Sequence, residues 1–403
     1  MRYKQISEVA DVQTGPFGSQ LHKEDYVSVG TPIVTVEHLG SRIFTEQNLP
    51  QVSDTDKARL SKYVLKEGDI VFSRVGSVDR CSYVDKHHDG WMFSGRCLRV
   101  RPYDVVDSLF LYYSFCLEKT KEHIRNIAVG ATMPSINTKL LGEVEIAIPE
   151  LETQQKIVAI LSSLDDRIEL NQKINDNLEQ QLATIYKSWY QDFSITNNEL
   201  VETEYGLIPQ GWHYSLLGEL CQSISITHKF NKDNLIFLNT GDVEDGRFLH
   251  SNFMAVTDMP GQAKKTIATN DILYSEIRPI NRHFAYVNFP ADDYVVSTKL
   301  MVIRTKMFDS RRLYHYLTSD DILTELQLQA ESRSGTFPQI RFDNVSKLPI
   351  LIADKQTEGA FIDLLHTVYS QIEHINHENE KLAILRDSLL PKLMSGEIDI
   401  KGV

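Results

Sequence analysis

The chain has 403 residues, of which 42% are hydrophobic and 24% are charged, and its formal net charge is −13 at pH 7. This is the composition of a globular protein with room for two or more domains, and the sequence has neither a signal-peptide pattern nor an apolar stretch of about 18 residues. We therefore expect a cytoplasmic protein with no membrane partner. The four cysteines lack disulfide-type or metal-type spacing and indicate reduced thiols at Cys81, Cys97, Cys116 and Cys221.

The net negative charge argues against nucleic-acid binding only when it is taken over the whole chain. Basic and acidic residues are nearly balanced in 1–150 and 197–353, while acidic residues are in clearer excess in 151–196 and 354–403. A basic face on either of the two large segments is therefore compatible with the composition.

Strand-like patterns come first along the chain, at 70–75 and 98–101, and a helical pattern follows at about 107–126. The same succession returns with strands at 235–238 and 299–303 and a helix at about 309–330. These patterns predict two similar β-rich domains of the α+β class.

Each predicted domain is followed by a long helix with an apolar seam in four-three spacing. The first seam is Ile157, Leu161, Leu164, Ile168, Asn171, Asn175, Leu178, Leu182 and Ile185, and the second is Phe361, Leu365, Val368, Ile372, Ile375, Asn379, Leu382, Arg386 and Leu389. Over about four heptads this spacing predicts a coiled coil, and because a domain of about 150 residues separates the two helices, we expect them to pair with each other in antiparallel fashion. Asn175 and Asn379 occupy equivalent positions, where a buried amide sets the register. The alternative is that each helix packs on its own domain.

The chain also repeats its motifs. Gly-Ala-Thr-Met-Pro-Ser-Ile at 130–136 returns as Ser-Gly-Thr-Phe-Pro-Gln-Ile at 334–340, so that Pro338 follows Pro134 by 204 residues. A period near 200 residues is too long for a solenoid and indicates a duplicated domain plus helix, an internal pseudo-twofold repeat. We predict domains at 1–149 and 197–353 and helical segments at 150–196 and 354–403. The repeated proline motif is interpreted as a structural closure before the last strand of each domain.

Four stretches resemble the specificity subunit of type I restriction-modification systems. They occur in the family's order and read Thr-Gly-Pro-Phe-Gly-Ser-Gln-Leu (14–21), Pro-Glu-Leu-Glu-Thr-Gln-Gln-Lys-Ile (149–157), Gly-Leu-Ile-Pro-Gln-Gly-Trp (206–212) and Leu-Pro-Lys-Leu-Met-Ser-Gly-Glu-Ile (390–398). The resemblance implies two target-recognition domains, each reading half of a split double-stranded DNA site, joined by helices that serve as spacer and dock. The second helix departs from the pattern, because Asp-Lys-Gln-Thr-Glu (354–358) replaces the Pro-Glu-Leu start.

The same resemblance implies the partners and the absence of catalysis. Two adenine N6-methyltransferase subunits would bind S-adenosylmethionine, so no cofactor is expected in this chain, and restriction motor-nuclease subunits would join in complexes that cleave DNA. The chain would be a non-catalytic recognition subunit. Two alternatives stay open: a recognition subunit of a related two-part restriction enzyme, which would have the same sequence features, and a scaffold that holds other proteins and no DNA.

Basic and hydroxyl side chains near the strands and glycine loops are the candidate DNA contacts, since such groups bind phosphates and base edges. They are Ser19, Lys23, Ser73, Arg74, Arg80, Arg96, Arg99, Arg101 and Lys139 in the first domain, and Lys229, Arg278, Arg282, His283, Lys299, Arg304, Arg333 and Arg341 in the second. Lys299 aligns with Arg96, as expected for a shared phosphate contact, whereas Arg74 has Glu276 as its counterpart, as expected for different bases. The alternative for each arginine is a solvated surface position.

Motifs of catalysis are missing from the sequence. It has no Asn-Pro-Pro-aromatic motif for amino methylation, no glycine-rich cofactor loop, no Walker sequence and no nuclease core. His374 and His377 are expected on the solvent-exposed outer face of the coiled coil, and His87 and His88 are interpreted as a loop tip. We predict no catalytic residue and no metal ligand.

Overall fold

The computed structural model describes residues 2–16, 18, 20–333 and 337–398, without the side chains of Lys23 and Arg333. The chain divides into two compact units, the first made of Met1–Lys173 and Asn376–Val403 and the second of Ile174–Ile375. Each unit therefore contains one β-rich part together with a portion of both long helices.

Short strands and helices alternate through the first half of the chain. The strands are β1 (Arg2–Gln5), β2 (Ala10–Thr14), β3 (Tyr26–Val27), β4 (Thr31–Val34), β5 (Gln51–Val52), β6 (Ile70–Ser73), β7 (Cys81–Tyr83), β8 (Met92–Phe93), β9 (Cys97–Pro102) and β10 (Glu145–Ile148). The helices are α1 (Ile6–Val9), α2 (Asp54–Arg59), α3 (Ser108–Cys116), α4 (Glu118–Ile127), α5 (Thr138–Gly142) and the long α6 (Leu151–Tyr190). Turns of 3₁₀ helix lie at Lys23–Asp25, Val36–His38 and Ser61–Tyr63.

Two four-stranded sheets form most of the β-structure of the first unit, and β1 pairs with β10 in a separate two-stranded sheet. One has the order β2-β9-β6-β7 and is antiparallel, and the other has the order β3-β5-β4-β8 with β4 and β8 parallel. Strand β6 is buried on both faces, because Ile70 and Phe72 pack into one hydrophobic cluster and Val71 into another. This explains the uninterrupted apolar run in its sequence.

The second half of the chain follows the same plan. Its strands are β11 (Leu200–Thr203), β12 (Gly206–Pro209), β13 (His213–Leu216), β14 (Cys221–Ile224), β15 (Asn234–Leu238), β16 (Val243–Glu244), β17 (Arg247–Phe248), β18 (Phe253–Ala255), β19 (Ala263–Thr266), β20 (Ile272–Ser275), β21 (Phe284–Tyr286), β22 (Tyr294–Ser297), β23 (Leu300–Thr305) and β24 (Pro349–Ile352). Its helices are α7 (Leu217–Leu220), α8 (Ser310–Leu317), α9 (Asp320–Arg333), α10 (Phe342–Ser346) and the long α11 (Lys355–Ser395), with 3₁₀ turns at Thr240–Asp242, Val256–Asp258 and Pro279–Asn281.

The sheets of the two units confirm the predicted duplication and the α+β class. The order β14-β23-β20-β21 reproduces β2-β9-β6-β7, and the core β18-β15-β22 of the other sheet reproduces β5-β4-β8. The fourth strand of this second sheet lies at opposite edges in the two units, because β3 joins β5 in the first unit and β19 joins β22 in the second. An edge strand needs a partner on one side only, so either edge of the core can accept a connecting segment.

Each helical pattern predicted at 107–126 and 309–330 is divided into two helices in the structure. The first breaks at Leu117, whose φ of −60° and ψ of 130° are not helical. The second breaks at Thr318 and Ser319, whose hydroxyls donate to the carbonyls of Tyr314 (2.9 Å) and Tyr316 (2.8 Å). Such local side-chain bonds compete with the helical backbone and favour a break.

The long helices pack against each other in antiparallel fashion, as predicted. In the first unit the Asn171 side chain donates to that of Asn379 (2.8 Å), and Arg386 donates to Asp165 (2.7 Å). In the second unit the Tyr190 hydroxyl donates to Glu358 (2.7 Å). Positions late in α6 thus meet positions early in α11, and positions early in α6 meet positions late in α11.

Packing on the domains, the alternative for the seams, occurs together with helix pairing. Every residue of both predicted seams is buried or half-buried. Ile157 and Leu161 join the core of the first unit together with Leu390 and Met394 of α11. Phe361 joins an aromatic cluster of the second unit. The seam residues near the ends of the helices therefore contact both the opposite helix and the domain core.

Candidate nucleic-acid interface

Loops converge at one end of the β2-β9-β6-β7 sheet in the first unit. The backbone N–H of Arg74 donates to the carbonyl of Arg96 (2.8 Å), and that of Gly76 donates to the carbonyl of Pro134 (2.8 Å). Loops 14–16, 74–76, 94–96 and 133–135 are thereby held side by side, and we name them the first loop cluster. The repeated proline motif forms one side of this cluster.

The glycine loop predicted to approach a phosphate enters the first loop cluster through a tight backbone contact. A Cβ atom at Gly15 would lie 2.1 Å from the Ser94 carbonyl oxygen, so only glycine fits there. Ser19 lies outside the described residues, as do the side chains of Lys23 and Arg333. Their predicted contacts with DNA stay predictions.

The second unit repeats this loop arrangement. The backbone N–H of Glu276 donates to the carbonyl of Lys299 (3.0 Å), and that of Arg278 donates to the carbonyl of Pro338 (3.2 Å). Loops 276–278, 297–299 and 337–339 form the second loop cluster. These bonds place Glu276, Arg278 and Lys299 where the first unit has Arg74, Gly76 and Arg96.

The interpretation of the proline motif as a structural closure agrees with these contacts. Single β-bridges join Val75 to Ser135 and Ile277 to Gln339. Ile136 and Ile340, the last residues of the two motifs, are both buried. The motif thus pairs with the segment that follows a central strand, and it leads into the short helix that precedes the last strand of each domain.

Two predicted DNA contacts occupy matching ion pairs inside the domains. Arg101 donates to both carboxylate oxygens of Asp69 (2.7 and 2.6 Å), and Arg304 donates to those of Asp271 (2.7 and 2.8 Å). Both aspartates are buried, and their hydrogen bonds raise the pKa of each arginine. The structure gives these guanidinium groups a role in holding strands β9 and β23 to the turns before β6 and β20.

Other candidates also have polar partners inside the protein. Arg99 is buried and donates to Asp11 (2.6 Å), and burial lowers its pKa. Arg80 donates to the carbonyl of Leu39. The remaining contacts of this kind are Ser73 Oγ to the Val75 carbonyl (2.7 Å), Arg282 to Asp245 and Asp320 (both 2.8 Å), and His283 Nδ1 with the Val243 carbonyl (2.8 Å).

The candidates that face solvent divide between the loop clusters and other surfaces. Exposed side chains are those of Arg96, Arg278, Lys139, Lys229 and Arg341. Arg74 is half-buried and donates to the Gly95 carbonyl (3.1 Å), while Lys299 lies 3.6 Å from Glu276. The loop clusters therefore bring together Arg74 with Arg96, and Arg278 with Lys299. Lys139 and Arg341 belong to the segments that follow the proline motif.

Sequence reasoning on charge missed two apolar side chains in the loop clusters. Met133 and Phe337 stand immediately before the two equivalent prolines, and their exposed fractions are 65% and 54%. Large apolar groups held outward beside basic residues are suited to contact thymine methyl groups or base faces. The available signal was the variable residue within the otherwise repeated Thr-x-Pro motif.

Both halves of the chain are similar to known proteins. A family model described as the type I restriction modification DNA specificity domain matches residues 1–180 and 209–383. The chain belongs to this family. Specificity subunits of type I restriction-modification systems recognise DNA and are themselves non-catalytic.

Individual specificity subunits show the same similarity. That of the HindI enzyme of Haemophilus influenzae is 43% identical over 178 residues, which cover 43% of this chain and 39% of the Haemophilus protein. That of the MjaIX enzyme of Methanocaldococcus jannaschii is 25% identical over 412 aligned residues, covering 99% of this chain and 93% of the relative.

The fold is shared with a solved specificity subunit. The crystal structure of the S subunit from M. genitalium matches 97% of this chain and 95% of its own with a TM-score of 0.56 and 16% identity. In the described part of this chain, no helix is both long and apolar enough to span a membrane.

Proposed function

We propose that each unit of this specificity subunit reads one half of a two-part DNA site through its loop cluster. The observation that carries the proposal is the repeated hydrogen-bond framework with unequal side chains. The bonds from Arg74 to Arg96 and from Glu276 to Lys299 are equivalent, yet one pair is doubly basic and the other is an ion pair.

The chemistry of recognition explains why such a pattern is useful. Phosphate contacts position a protein on the duplex and are independent of sequence, whereas side chains at base edges specify the sequence. A shared backbone framework lets both units approach the duplex in one geometry. Exchanged side chains on that framework then select different bases.

The proposed complex includes two adenine N6-methyltransferase subunits that bind S-adenosylmethionine, with restriction motor-nuclease subunits added where DNA is cleaved. In this assignment the long helices dock the methyltransferase subunits, and the described chain contributes recognition alone. A recognition subunit of a related two-part restriction enzyme would use the same surfaces. The sequence of the partner genes distinguishes these two cases.

The test is to express the chain with its methyltransferase partners and map methylated adenines on a randomised DNA library. We expect a two-part motif with an unspecified spacer. Met133→Ala should change base preference in one half of the motif and Phe337→Ala in the other half. Random methylation, or a preference change in both halves from either variant, would contradict the assignment. A scaffold that holds only proteins would show no sequence preference at all.

A second prediction concerns the affinity for DNA and its dependence on salt concentration. If Arg96 and Lys299 bind phosphates, Arg96→Ala and Lys299→Ala should weaken binding to specific and random DNA alike and each reduce the salt slope by about one. The measurement is fluorescence anisotropy of the complex at several salt concentrations. Lys347→Ala is the matched control, because Lys347 is exposed and pairs with Asp343 (2.9 Å) outside the loop clusters. An unchanged salt slope for either loop variant would remove that residue from the phosphate contacts.

A further inference from the structure

We propose that Glu46, His87 and His88 of the first unit form a binding site for Zn²⁺. Glu46 lies in the segment between Leu39 and β5, and the histidines lie in the turn between β7 and β8. One ligand atom of each side chain falls within 4.8 Å of those of the other two. We name these three residues the Glu46 cluster.

The spacing of the ligand atoms suits a tetrahedral ion. The Oε1 atom of Glu46 lies 3.4 Å from Nε2 of His87 and 3.3 Å from Nε2 of His88. In a tetrahedral zinc site with bonds of about 2.0–2.2 Å, neighbouring ligand atoms are about 3.3–3.6 Å apart. Two of the three ligand pairs therefore already have the separation that a shared zinc ion imposes.

His88 is held in the orientation that a metal ligand requires. Its side chain is 1% exposed, and its Nδ1 atom lies 2.5 Å from a carboxylate oxygen of Asp85. A carboxylate on Nδ1 fixes the tautomer with its proton on that atom and leaves the Nε2 lone pair for a metal, the usual arrangement around protein zinc.

The Nε2 atom of His88 is buried and makes no hydrogen bond within the described part of the protein. It faces the Glu46 carboxylate, so two electron-rich groups oppose each other unless a cation lies between them. That cation is either a proton on His88 or a metal ion. The position of His87, directed at the same carboxylate oxygen, favours the metal ion.

The surroundings provide both a rigid wall and an entrance. The rings of Phe44 and Trp91 lie 5.0 and 4.5 Å from the His88 ring, centroid to centroid. Glu46 and His87 are 52% and 68% exposed, which leaves the fourth coordination position open to water. Two imidazoles and one carboxylate favour Zn²⁺ over Mg²⁺ and Ca²⁺, which prefer oxygen ligands.

A bound ion would tie the segment of Glu46 to the β7–β8 turn. The same segment carries Arg42, which donates to Asp166 of α6 (2.6 Å). The site would therefore stabilise a connection between the recognition domain and the long helix. The corresponding turn of the second unit, 288–293, contains no histidine, so the site belongs to the first unit alone.

The experiment is a titration of the chelator-treated full-length protein with Zn²⁺ by calorimetry and with Co²⁺ by visible absorption. We expect one equivalent of each metal, a tetrahedral Co²⁺ spectrum and a rise in the melting temperature with Zn²⁺. His87→Ala and Glu46→Gln should each weaken binding at least tenfold, and both alter exposed side chains. Asp85→Asn, which changes a positioning residue, should weaken it about 10–100-fold and alter the Co²⁺ spectrum.

Matched controls use histidines away from the Glu46 cluster. His123→Ala and the double variant His374→Ala/His377→Ala remove exposed histidines outside the Glu46 cluster and should leave the affinity and the Co²⁺ spectrum unchanged. The proposal is overturned if the protein binds no stoichiometric Zn²⁺. It is also overturned if Zn²⁺ binding is unchanged in both His87→Ala and Glu46→Gln, or if it is lost in the control variants.

Discussion

Replacing Glu358 by glutamine should destabilise the second unit by about 3–5 kcal/mol, because it leaves the buried guanidinium of Arg312 without a counter-charge. Arg312 is fully buried, and its Nε atom donates to Glu358 (2.9 Å) and an Nη atom to the Leu351 carbonyl (3.1 Å). The guanidinium carbon also lies 4.6 Å from the centre of the Tyr190 ring. Burial, together with the charge of Glu358, raises the pKa of Tyr190, so its hydroxyl keeps its proton and donates to Glu358.

The measurement is urea unfolding followed by the fluorescence of Trp189 and Trp212, which both belong to the second unit, in a Trp91→Phe background. The exposed Lys347→Ala variant is the control and should cost no more than about 0.5 kcal/mol. If Glu358→Gln lowers the free energy of unfolding by less than about 1 kcal/mol, water reaches Arg312 in solution.

The first unit has uncharged residues at the positions of this ion pair, which suggests a second variant that restores stability. Asp107 caps α3 at the N–H of Phe110 as Asp309 caps α8 at the N–H of Arg312, and Gln154 is the counterpart of Glu358. Phe110 and Gln154 are both buried without any charge. The double variant Arg312→Phe/Glu358→Gln should therefore recover most of the lost stability, since replacing a buried ion pair by packed apolar groups is often neutral or stabilising. Failure to recover would mean that the aromatic rings around Arg312 require a cation.

Removing either of the two equivalent buried aspartates should cost about 2–4 kcal/mol in its own unit. Besides its arginine, Asp69 accepts from the backbone N–H of Lys66 (2.8 Å), and Asp271 accepts from that of Ala268 (2.7 Å). Asp69→Ala and Asp271→Ala thus leave a backbone donor unpaired and remove the counter-charge of a guanidinium at the same turn.

Double-mutant cycles with Arg101→Ala and Arg304→Ala measure how much of that loss belongs to the ion pairs. We expect a coupling of about 1–3 kcal/mol in each unit. The folded Arg101→Ala and Arg304→Ala proteins should keep the salt slope of DNA binding, because these groups are occupied within the domains. A salt slope of DNA binding that is reduced by about one in either variant would instead show that the arginine contacts a phosphate.

Residue patterns that repeat regularly along the chain predict its structure correctly. The seams of the long helices, the duplicated motifs and the strand pattern that begins at Ile70 depend on local sequence and on burial, which leave a direct trace in residue order. The sequence does not predict the breaks at Leu117 and at Thr318. The apolar face of each helical pattern continues across the break, whereas the helical backbone conformation ends there.

The partners of the individual arginines cannot be predicted from the sequence. Arg96 and Arg101 lie five residues apart and look alike in the sequence, yet one is exposed in a loop cluster and the other binds a buried aspartate. Charge alone therefore predicted the basic set but not its division into interior partners and exposed candidates. The same limit hid the Glu46 cluster, whose members come from segments about 40 residues apart.

The order of residues was sufficient for the repeat, the class of fold, the antiparallel helices and the family, since all four depend on patterns that recur along the chain. Only the folded chain decided which polar groups oppose one another. Side-chain partners are set by strand register and loop packing, and contacts such as Glu46 with His88 or Arg312 with Glu358 join residues distant in sequence whose pairing has no local period.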